Sequence, residues 1–316
     1  MKIVDVRPQA IELSAPPCEE TSGTSFQEAS GTHDMSFMNL HIASPAAKET
    51  AQPLVTTAGK DLLRGLLSYR LYGHLGWLDI KRRYRRTVLG PVWGIVTVSI
   101  MIVTLGAIGV GLWHQSASVY LPFLTSGLLV WWLISTMLTE ACTVFIYGQN
   151  FLRQVRLDYS ILVYALVWRN VMTFFHNFPL YVVVMLIFAP HLFGWTTLLA
   201  VPGILLLTLN GAWMTLLLGM WCLRYRDVQQ LVSSLVQISI YVTPIFWPPS
   251  QLQEPFRSIF MTFNPLYHLI EIVRAPLIGQ IPDRSSYIAV LIILAVGWSA
   301  TYVLFRRFRG RLAYWS

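Results

Sequence analysis

The chain has 316 residues, of which 55% are hydrophobic and only 12% are charged. A soluble domain carries roughly 25% charged residues, so this composition excludes an ordinary soluble protein and predicts an all-α integral membrane protein. The formal net charge of +8 does not predict nucleic-acid binding, because the cations cluster beside apolar segments, as signals of membrane topology do.

Residues 1–60 differ in composition from the remainder of the chain. They are rich in Ser, Thr, Ala, Pro and Glu, and they lack the basic and apolar regions of a secretory signal. We predict that they form a disordered cytoplasmic extension. Apolar periodicity begins at Asp61, and residues 61–90 are predicted to form cytoplasmic and interfacial helices, the first of them a short surface helix ending near Gly76.

The segment from Trp77 to Val88 predicts an amphipathic helix in the membrane interface. Trp77, Ile80, Tyr84 and Val88 are spaced i, i+3, i+7 and i+11, which gives one apolar stripe flanked by cations. Such a helix holds its aromatic rings at headgroup level and its cations near phosphates or a partner, although a plain basic flank of the first span is a simpler alternative. The residues expected to contact headgroups are Lys81, Arg82, Arg83, Tyr84, Arg85 and Arg86.

A corner is predicted where this helix meets the first membrane span. Gly90 suits the position just after a helix, and Pro91 suits the first position of the next one. One helix would then lie along the membrane surface while the next enters the bilayer.

Six apolar segments are long enough to cross a hydrocarbon core of about 30 Å. Between the last two lies the apolar stretch 265–279, which is bracketed by prolines, is too short to cross, and predicts a re-entrant hairpin on the periplasmic side. The predicted spans are residues 92–113, 120–147, 161–189, 196–221, 228–247 and 287–305.

Six spans place both termini on one side of the membrane, and the distribution of Lys and Arg identifies that side as the cytoplasm. The interface helix, two polar hairpins and the C-terminal RRFRGR sequence carry most of the cations, whereas the opposite side holds only Arg257, Arg274 and Arg284. This asymmetry predicts cytoplasmic termini.

Glu140 and Arg169 are predicted to pair inside the membrane. Each lies eight residues from the cytoplasmic end of its span, so on antiparallel neighbours both are roughly 12 Å deep. An unpaired charge at that depth is costly, which favours an ion pair between the second and third spans. Asn170, His176 and Asn177 either extend this polar seam or only bond between helices.

No sequence motif predicts catalysis or cofactor binding. The sequence contains no GxxxxGK[ST] loop, HExxH or GxSxG, and the three cysteines (Cys18, Cys142 and Cys222) show no CxxC spacing. Acidic residues near the spans are few, and no two are close in sequence as a catalytic pair would often be. We therefore expect neither an enzyme nor a chain with its own metal or cofactor.

Four ordered stretches together resemble one known family: RRYRRTVLGPVW, NFLRQVRLDYSILVYALVWRN, CLRYRDVQQLVSSLVQISIYVTPIFW and NPLYHLIEIVRAPLIG. They are similar to the membrane subunit of ABC-2-type polysaccharide exporters, the O-antigen and capsule export permeases, over residues 61–316. The resemblance implies the ABC-2 exporter fold, with residues 91–316 as its transmembrane domain, in the bacterial inner membrane. It implies export of a polysaccharide linked to an undecaprenyl-type lipid by a homodimer, with two copies of a separate ATPase chain that binds ATP and Mg²⁺.

The resemblance also assigns roles to two short segments. Residues 149–157 resemble the coupling helix that docks on the ATPase, with Asn150, Leu152, Arg153 and Arg156 as the expected contacts; a solvated basic loop is the alternative. Residues 265–279 resemble the periplasmic gate. There His268, Glu271 and Arg274 would share a helix face, tying the hairpin together rather than contacting sugar.

Aromatic residues deep in the spans are candidates for a path along which a polysaccharide moves. Sugar C–H faces pack on aromatic rings, and sugar hydroxyls need hydrogen-bond partners. Trp131, Trp132 and Tyr241 lie deeper than the aromatic residues of the interfacial belts, so they are expected either to line this path or to pack between helices.

Two other functions remain open at this point. The first is an ABC-2 exporter of lipids or drugs, which would need no glycan carrier. The second is a membrane glycosyltransferase or acyltransferase of the same pathway, which would need an essential Asp, Glu or His and would form product without an ATPase.

Overall fold

The computed structural model describes residues 58–85, 87–88, 90, 92–148 and 157–315, and within these ranges no β-strand occurs. Short 3₁₀ turns at Pro190–Leu192, Trp195–Leu199 and Pro249–Gln251 connect some of the helices. The helices are α1 (Ala58–Leu67), α2 (Tyr69–Tyr84), α3 (Val92–Trp113), α4 (Ala117–Ala141), α5 (Tyr159–Phe188), α6 (Ala200–Arg224), α7 (Asp227–Val242), α8 (Phe256–Thr262), α9 (Pro265–Leu277) and α10 (Arg284–Trp315).

Five of the described helices are long and apolar enough to cross a membrane: α3, α4, α5, α6 with the 3₁₀ turn before it, and α10. The chain is therefore a multi-pass membrane protein. α4 lies at the centre and packs against α3, α5, α6, α7 and α9. Its buried residues Leu124, Leu128 and Ile134 belong to the main apolar core. Beyond α4, residues 144–148 form a further helical turn.

The N-terminal helices differ from the sequence prediction in two ways. α2 runs without a break through Gly76, so the surface helix and the start of the Trp77 helix form a single element. α2 then ends at Tyr84, four residues before the predicted end at Val88. Both the backbone N–H and the Oγ1 of Thr87 donate to the Tyr84 carbonyl, which closes a turn there (3.2 and 2.8 Å). Gly90, with φ +53°, therefore belongs to the link before α3 rather than to the end of α2.

The predicted fifth span is shorter than expected. Its helix, α7, has 16 residues and ends at Val242, whereas the prediction continued to residue 247. Pro244 explains this end, because the residue before a proline is disfavoured in a helix and Thr243 adopts ψ 135°. At 1.5 Å per residue α7 spans about 24 Å, less than the hydrocarbon core.

α9 lies inside the bundle, with ten of its thirteen residues buried against α4, α6 and α10. Its first turn is capped by Asn264, whose side chain accepts from the N–H groups of Leu266 and Tyr267 and also donates to Thr243 Oγ1 (3.0 Å). The Ile272 backbone passes directly against Gly203 of α6, where any Cβ would clash with the Ile272 carbonyl oxygen. A side chain at position 203 would therefore push α9 away from α6.

The two ends of the bundle differ in charge. We call one the basic end; it contains the C-terminal ends of α2, α4 and α6 and the last turns of α10. The other, the loop end, contains His114, the 3₁₀ turns and α8. Among the described residues, the loop end has the cations Arg257, Arg274 and Arg284. The cations at the basic end include Lys60, Arg64, Lys81, Arg82, Arg83, Arg85, Arg224, Arg226, Arg306, Arg307, Arg309 and Arg311.

Candidate functional site

A network of charged side chains joins α2 to α4 and α5 near the basic end. The Glu140 carboxylate on α4 accepts hydrogen bonds from Arg83 of α2 and from Arg169 and Asn170 of α5 (2.6 and 2.9 Å for the last two). Arg169 also donates to Asp79 of α2 (2.8 Å). The structure thus brings together the predicted partners Glu140 and Arg169. We call Asp79, Arg83, Glu140, Arg169 and Asn170 the charge network.

The charge network combines well-shielded and exposed charges. The side chains of Arg169 and Glu140 are 15% and 19% exposed, whereas those of Asp79 and Arg83 are 46% and 50% exposed. Partial burial alone would lower the pKa of Arg83, but the hydrogen bond and charge of Glu140 raise it, so this guanidinium stays charged. The network therefore fixes two turns of α2 against the bundle at Asp79 and Arg83.

The face of α2 that contacts the bundle is not its predicted apolar stripe. Tyr72, Gly76, Asp79 and Arg83 recur at i, i+4, i+7 and i+11; Tyr72 stacks near Tyr164, and Gly76 packs on Trp168. The residues of the predicted stripe are rotated by about 100° around the helix axis from this bundle-facing side. Trp77, the first of them, is 52% exposed. The stripe and the neighbouring exposed cations Lys81, Arg82 and Arg85 are thus available to the membrane surface or to a partner. Arg86 lies outside the described residues.

The other polar residues predicted for this seam have separate environments. Asn170 belongs to the network, whereas His176 is exposed on α5. Asn177 is 2% exposed and faces Gly94 of α3, and its Oδ1 has no hydrogen-bond partner among the described residues.

A second charged cluster joins α1 to α10 and to the start of α5 at the basic end. Asp61 of α1 is fully buried and accepts from Arg309 of α10 (2.7 Å) and from the Ser160 N–H (3.2 Å). Asp158 lies 3.7 Å from the same Arg309. Burial and the nearby Asp61 charge raise the pKa of Asp158, while Arg309 acts in the opposite direction. Sequence analysis missed this cluster, because its members lie 99 and 248 residues apart.

The residues predicted to dock on an ATPase, Asn150, Leu152, Arg153 and Arg156, lie outside the described residues. The structure does describe what flanks them: the helical turn 144–148 before and α5 after. Beside this turn is a cavity of about 350 Å³ between α2, α4 and α5. It has an apolar floor and is lined by charged groups of Asp79, Arg82, Glu140 and Arg169.

At the loop end, Arg274 fastens α9 to the break after α7. Its side chain is 2% exposed, pairs with Glu271 (2.5 Å) and donates to the Pro244 carbonyl oxygen (2.6 Å). Its guanidinium also lies over the Phe123 ring of α4, 4.4 Å from the centroid. The three residues predicted to share a face of α9 therefore do not form one group. Glu271 and Arg274 pair with each other, whereas His268 bonds to Ser286 Oγ and the Thr262 carbonyl (3.0 and 3.1 Å).

Two tyrosines hold backbone carbonyls at the same end. Tyr120 of α4 donates to the Phe246 carbonyl (2.6 Å), and Tyr181 of α5 donates to the Leu277 carbonyl (2.5 Å). Both side chains are fully buried. They fix the segment after α7 and the C-terminal end of α9.

The three aromatic residues predicted for a translocation path are not brought together. Trp131 is 5% exposed and belongs to the main core, because its face of α4 points into the bundle. It therefore lines no surface of the subunit. Trp132 is half-buried, and Tyr241 of α7 is 70% exposed.

An exposed polar stripe on α7 was missed by sequence analysis. Gln230, Ser234, Gln237 and Tyr241 recur at i, i+4, i+7 and i+11, and all but the half-buried Ser234 are exposed. The spacing itself was a signal, since hydrogen-bonding side chains that recur along one face of a predicted membrane span are unusual. We call these four residues the α7 polar stripe. Within the described residues, no group of three or more His, Cys, Asp or Glu side chains is arranged to hold a metal.

Comparison with known proteins places these features in one family. The family model described as ABC-2 type transporter matches residues 70–278, from the start of α2 to the end of α9. The O-antigen export system permease protein RfbA of Myxococcus xanthus is 26% identical over 246 residues, covering 77% of this chain and 94% of the relative. Two Klebsiella pneumoniae proteins of the same name are 24% identical over 195 residues (61% and 74% covered) and 23% over 241 residues (74% and 90%).

Proposed function

The chain belongs to the ABC-2 type transporter family, and we propose that it is the membrane permease subunit of an ATP-driven exporter that moves a lipid-linked polysaccharide of the O-antigen type. One observation carries this proposal: the family match spans both the charge network and α9, and the three relatives share the name of O-antigen export permease.

We propose that a separate ATPase supplies the energy. The sequence contains no GxxxxGK[ST] loop, so ATP and Mg²⁺ would be bound by partner chains. Two ATPase copies would meet a homodimer of this chain, one at each copy of residues 149–157. Arg153 and Arg156 suit an acidic groove, and Leu152 suits an apolar pocket within it.

The proposed topology has six crossings in the inner membrane, with α7 as the fifth and α8–α9 as a re-entrant hairpin. The position of α9 between α4, α6 and α10 supports re-entry, because ten of its thirteen residues are buried among spans. With α7 crossing, both termini lie at the basic end, and the excess of Lys and Arg there favours the cytoplasm.

The charge network provides a route from the docking segment to α2. A displacement of residues 149–157 would move the adjoining helical turn 144–148, and with it α4, and the start of α5. Glu140 and Arg169 sit on those two helices, and both are bonded to α2. Movement of either helix would therefore shift α2 at the membrane surface without breaking the network.

We assign the translocation path to the α7 polar stripe rather than to Trp131. Two glutamine amides, a serine hydroxyl and a tyrosine offer the donors and acceptors that sugar hydroxyls need, and Tyr241 adds an aromatic face. Exposure of this stripe to lipid would be unfavourable. If the stripe faces a water-filled path at the axis of a dimer, its polar side chains contact water and sugar instead of lipid.

The carrier's pyrophosphate is assigned to exposed cations of α2. Lys81, Arg82 and Arg85 are exposed at the basic end beside the apolar stripe, as contact with an anionic headgroup requires. Arg83 is a weaker candidate, because its guanidinium is already bonded to Glu140.

The proposal is tested by purifying the chain with a candidate ATPase in lipid nanodiscs and measuring ATP hydrolysis. We expect a stable complex whose hydrolysis rate depends on the membrane subunit, and loss of that dependence in Leu152→Ala/Arg153→Ala. Arg257→Ala, at the loop end, serves as the matched control and should leave the rate unchanged. Glycan product formed without any ATPase would instead support the glycosyltransferase alternative.

A further inference from the structure

A large apolar groove lies between α5 and α6 near the loop end. Its volume is about 860 Å³, and we call it the aromatic groove. Phe175 and Phe178 of α5 form one side, and Val201 and Ile204 of α6 form the other. The groove is separate from the charge network and from the α7 polar stripe, since neither contributes a residue to its lining. Nothing in the proposed transport cycle uses it.

The location of the groove determines which molecules can reach it. Phe175 and Ile204 lie within two membrane spans, so most of the groove is at the depth of the hydrocarbon core. Leu198 and Val201 are 63% and 60% exposed on its rim, so it opens sideways rather than into the bundle. Hydrocarbon chains are the molecules that occupy such a surface in a bilayer.

The mouth of the groove, near the start of the 3₁₀ turn, has features of an interfacial boundary. Trp195 is 91% exposed there, as suits a ring at headgroup level. Thr197 lines the groove, and its Oγ1 has no hydrogen-bond partner in the described part of the chain.

The charge of the lining distinguishes between two classes of lipid. The residues that line the groove include no Lys, Arg or His, so nothing in the groove would hold the pyrophosphate of a polyprenyl carrier. A phospholipid chain needs no such cation. The lining therefore favours an acyl chain of an ordinary phospholipid.

The floor of the groove is the C-terminal end of α9. Leu277, the last residue of that helix, is 1% exposed and lines the groove, and its carbonyl accepts the hydrogen bond from Tyr181. The ring of Phe193, also in the lining, packs near Tyr181 (centroids 6.4 Å apart). An occupant of the groove would thus press on the same point that Tyr181 holds.

We propose that the aromatic groove binds one acyl chain of a phospholipid from the leaflet at the loop end, and that this chain supports the C-terminal end of α9. The inference concerns a resident lipid, so it does not depend on which substrate is exported. It predicts that a lipid is retained in the aromatic groove, whereas lipids on the rest of the lipid-facing surface exchange freely with the bulk bilayer.

The test uses the full chain in nanodiscs of phosphatidylethanolamine that contain a phosphatidylethanolamine with a diazirine on its acyl chain. After illumination, we expect peptides of Phe175–Phe178 and Leu198–Ile204 to be labelled about tenfold more per exposed area than two control faces. The control faces are Ile100 and Val103 on α3, and Ile292 and Val296 on α10, all at least 57% exposed. Uniform labelling of all these faces would overturn the proposal.

A filled-groove variant provides the second measurement. Val201→Trp places a large ring in the groove at an exposed position, so we expect groove labelling to fall about tenfold while the protein still folds. Val303→Trp, at a 63% exposed position of α10, is the matched control and should leave labelling unchanged. A diazirine polyprenyl phosphate should label the groove no more than the control faces. Preferential labelling by that probe would contradict the assignment to phospholipid.

Discussion

The two ends of the bundle both rely on arginine–carboxylate pairs, but the arginine at the loop end also holds a backbone carbonyl. At the basic end, Arg83 and Arg169 donate to the side-chain carboxylates of Glu140 and Asp79. At the loop end, Arg274 donates both to the Glu271 carboxylate and to the backbone carbonyl of Pro244, and Tyr120 donates to the backbone carbonyl of Phe246. A side-chain acceptor can be removed together with its donor, whereas a backbone carbonyl stays in place after any substitution.

This difference has an energetic consequence. Replacing both partners of a buried bond can cost little, while leaving one buried partner alone costs roughly 1–3 kcal/mol, or more for a charge. Loss of a donor at the basic end can therefore be compensated by neutralising its acceptor. The same loss at the loop end leaves a carbonyl unsatisfied, so this end should be the less tolerant of substitution.

Arg274→Met is expected to have the largest effect. It leaves Glu271 without its partner and Pro244 without its donor, so the free energy of unfolding should fall by about 3–5 kcal/mol. Thermal unfolding and the yield of monodisperse protein in detergent measure the loss, with exposed Arg257→Met as the control. Adding Glu271→Gln should restore only part of it. Full restoration would show that the Pro244 contact contributes nothing.

At the basic end, a double-mutant cycle should give the opposite pattern. The double variant Glu140→Gln/Arg169→Gln should lose about 2–3 kcal/mol less free energy of unfolding than the two single variants lose in sum. The reason is that the Glu140 and Arg169 side chains are both shielded from solvent. The same cycle for Asp79→Asn with Arg169→Gln should give about 1 kcal/mol, since Asp79 is 46% exposed. Equal coupling in the two cycles would mean that burial does not set the strength of these bonds.

Tyr120→Phe and Tyr181→Phe should each cost about 1–2 kcal/mol, because the first leaves a part-buried carbonyl and the second a buried carbonyl without its donor. Tyr147→Phe is the matched control, since that side chain is 82% exposed. Unfolding in detergent would compare all three variants. If the three behaved alike, the tyrosine hydroxyls would have no role in holding the loop end.

The smallest effect is expected for the exposed side of the charge network. Arg83→Gln should cost about 0.5–1 kcal/mol, because the side chain is 50% exposed and solvent screens its pair with Glu140. Arg82→Gln is the comparison: this arginine is 79% exposed and only reaches Asp79 at 4.0 Å, so it should have no measurable effect. A larger loss for Arg82 than for Arg83 would contradict the described contacts.

Depth and charge were sufficient to predict part of the site. Glu140 and Arg169 stood out because two opposite charges occupied equal depths on neighbouring spans, where an unpaired charge is costly. Asp79 and Arg83 could not be assigned in the same way. Their partners lie 90 and 57 residues away, and the side of α2 that faces the bundle includes Gly76, which is not part of the predicted apolar stripe.

The errors in the fold prediction also have physical causes. Hydropathy continues through Pro244, so the apolar run hides the end of α7 that the proline imposes. The end of α2 depends on Thr87 bonding back to Tyr84, which periodicity does not report. The sequence left open whether Trp131 lines a path or packs between helices, because both places in a membrane protein are lined by large apolar residues; its 5% exposure in this subunit favours packing.

The central claim, ATP-driven export of a lipid-linked polysaccharide, is tested most directly in proteoliposomes that contain this chain and its ATPase. The measurement is the amount of lipid-linked O-antigen-type glycan that becomes accessible to a lectin on the side of the loop end. Our account predicts that this amount rises only with ATP, and that Gln230→Leu/Gln237→Leu reduces it while ATPase binding persists. Glycan that stays in place despite active ATP hydrolysis, or that crosses without ATP, would contradict the account.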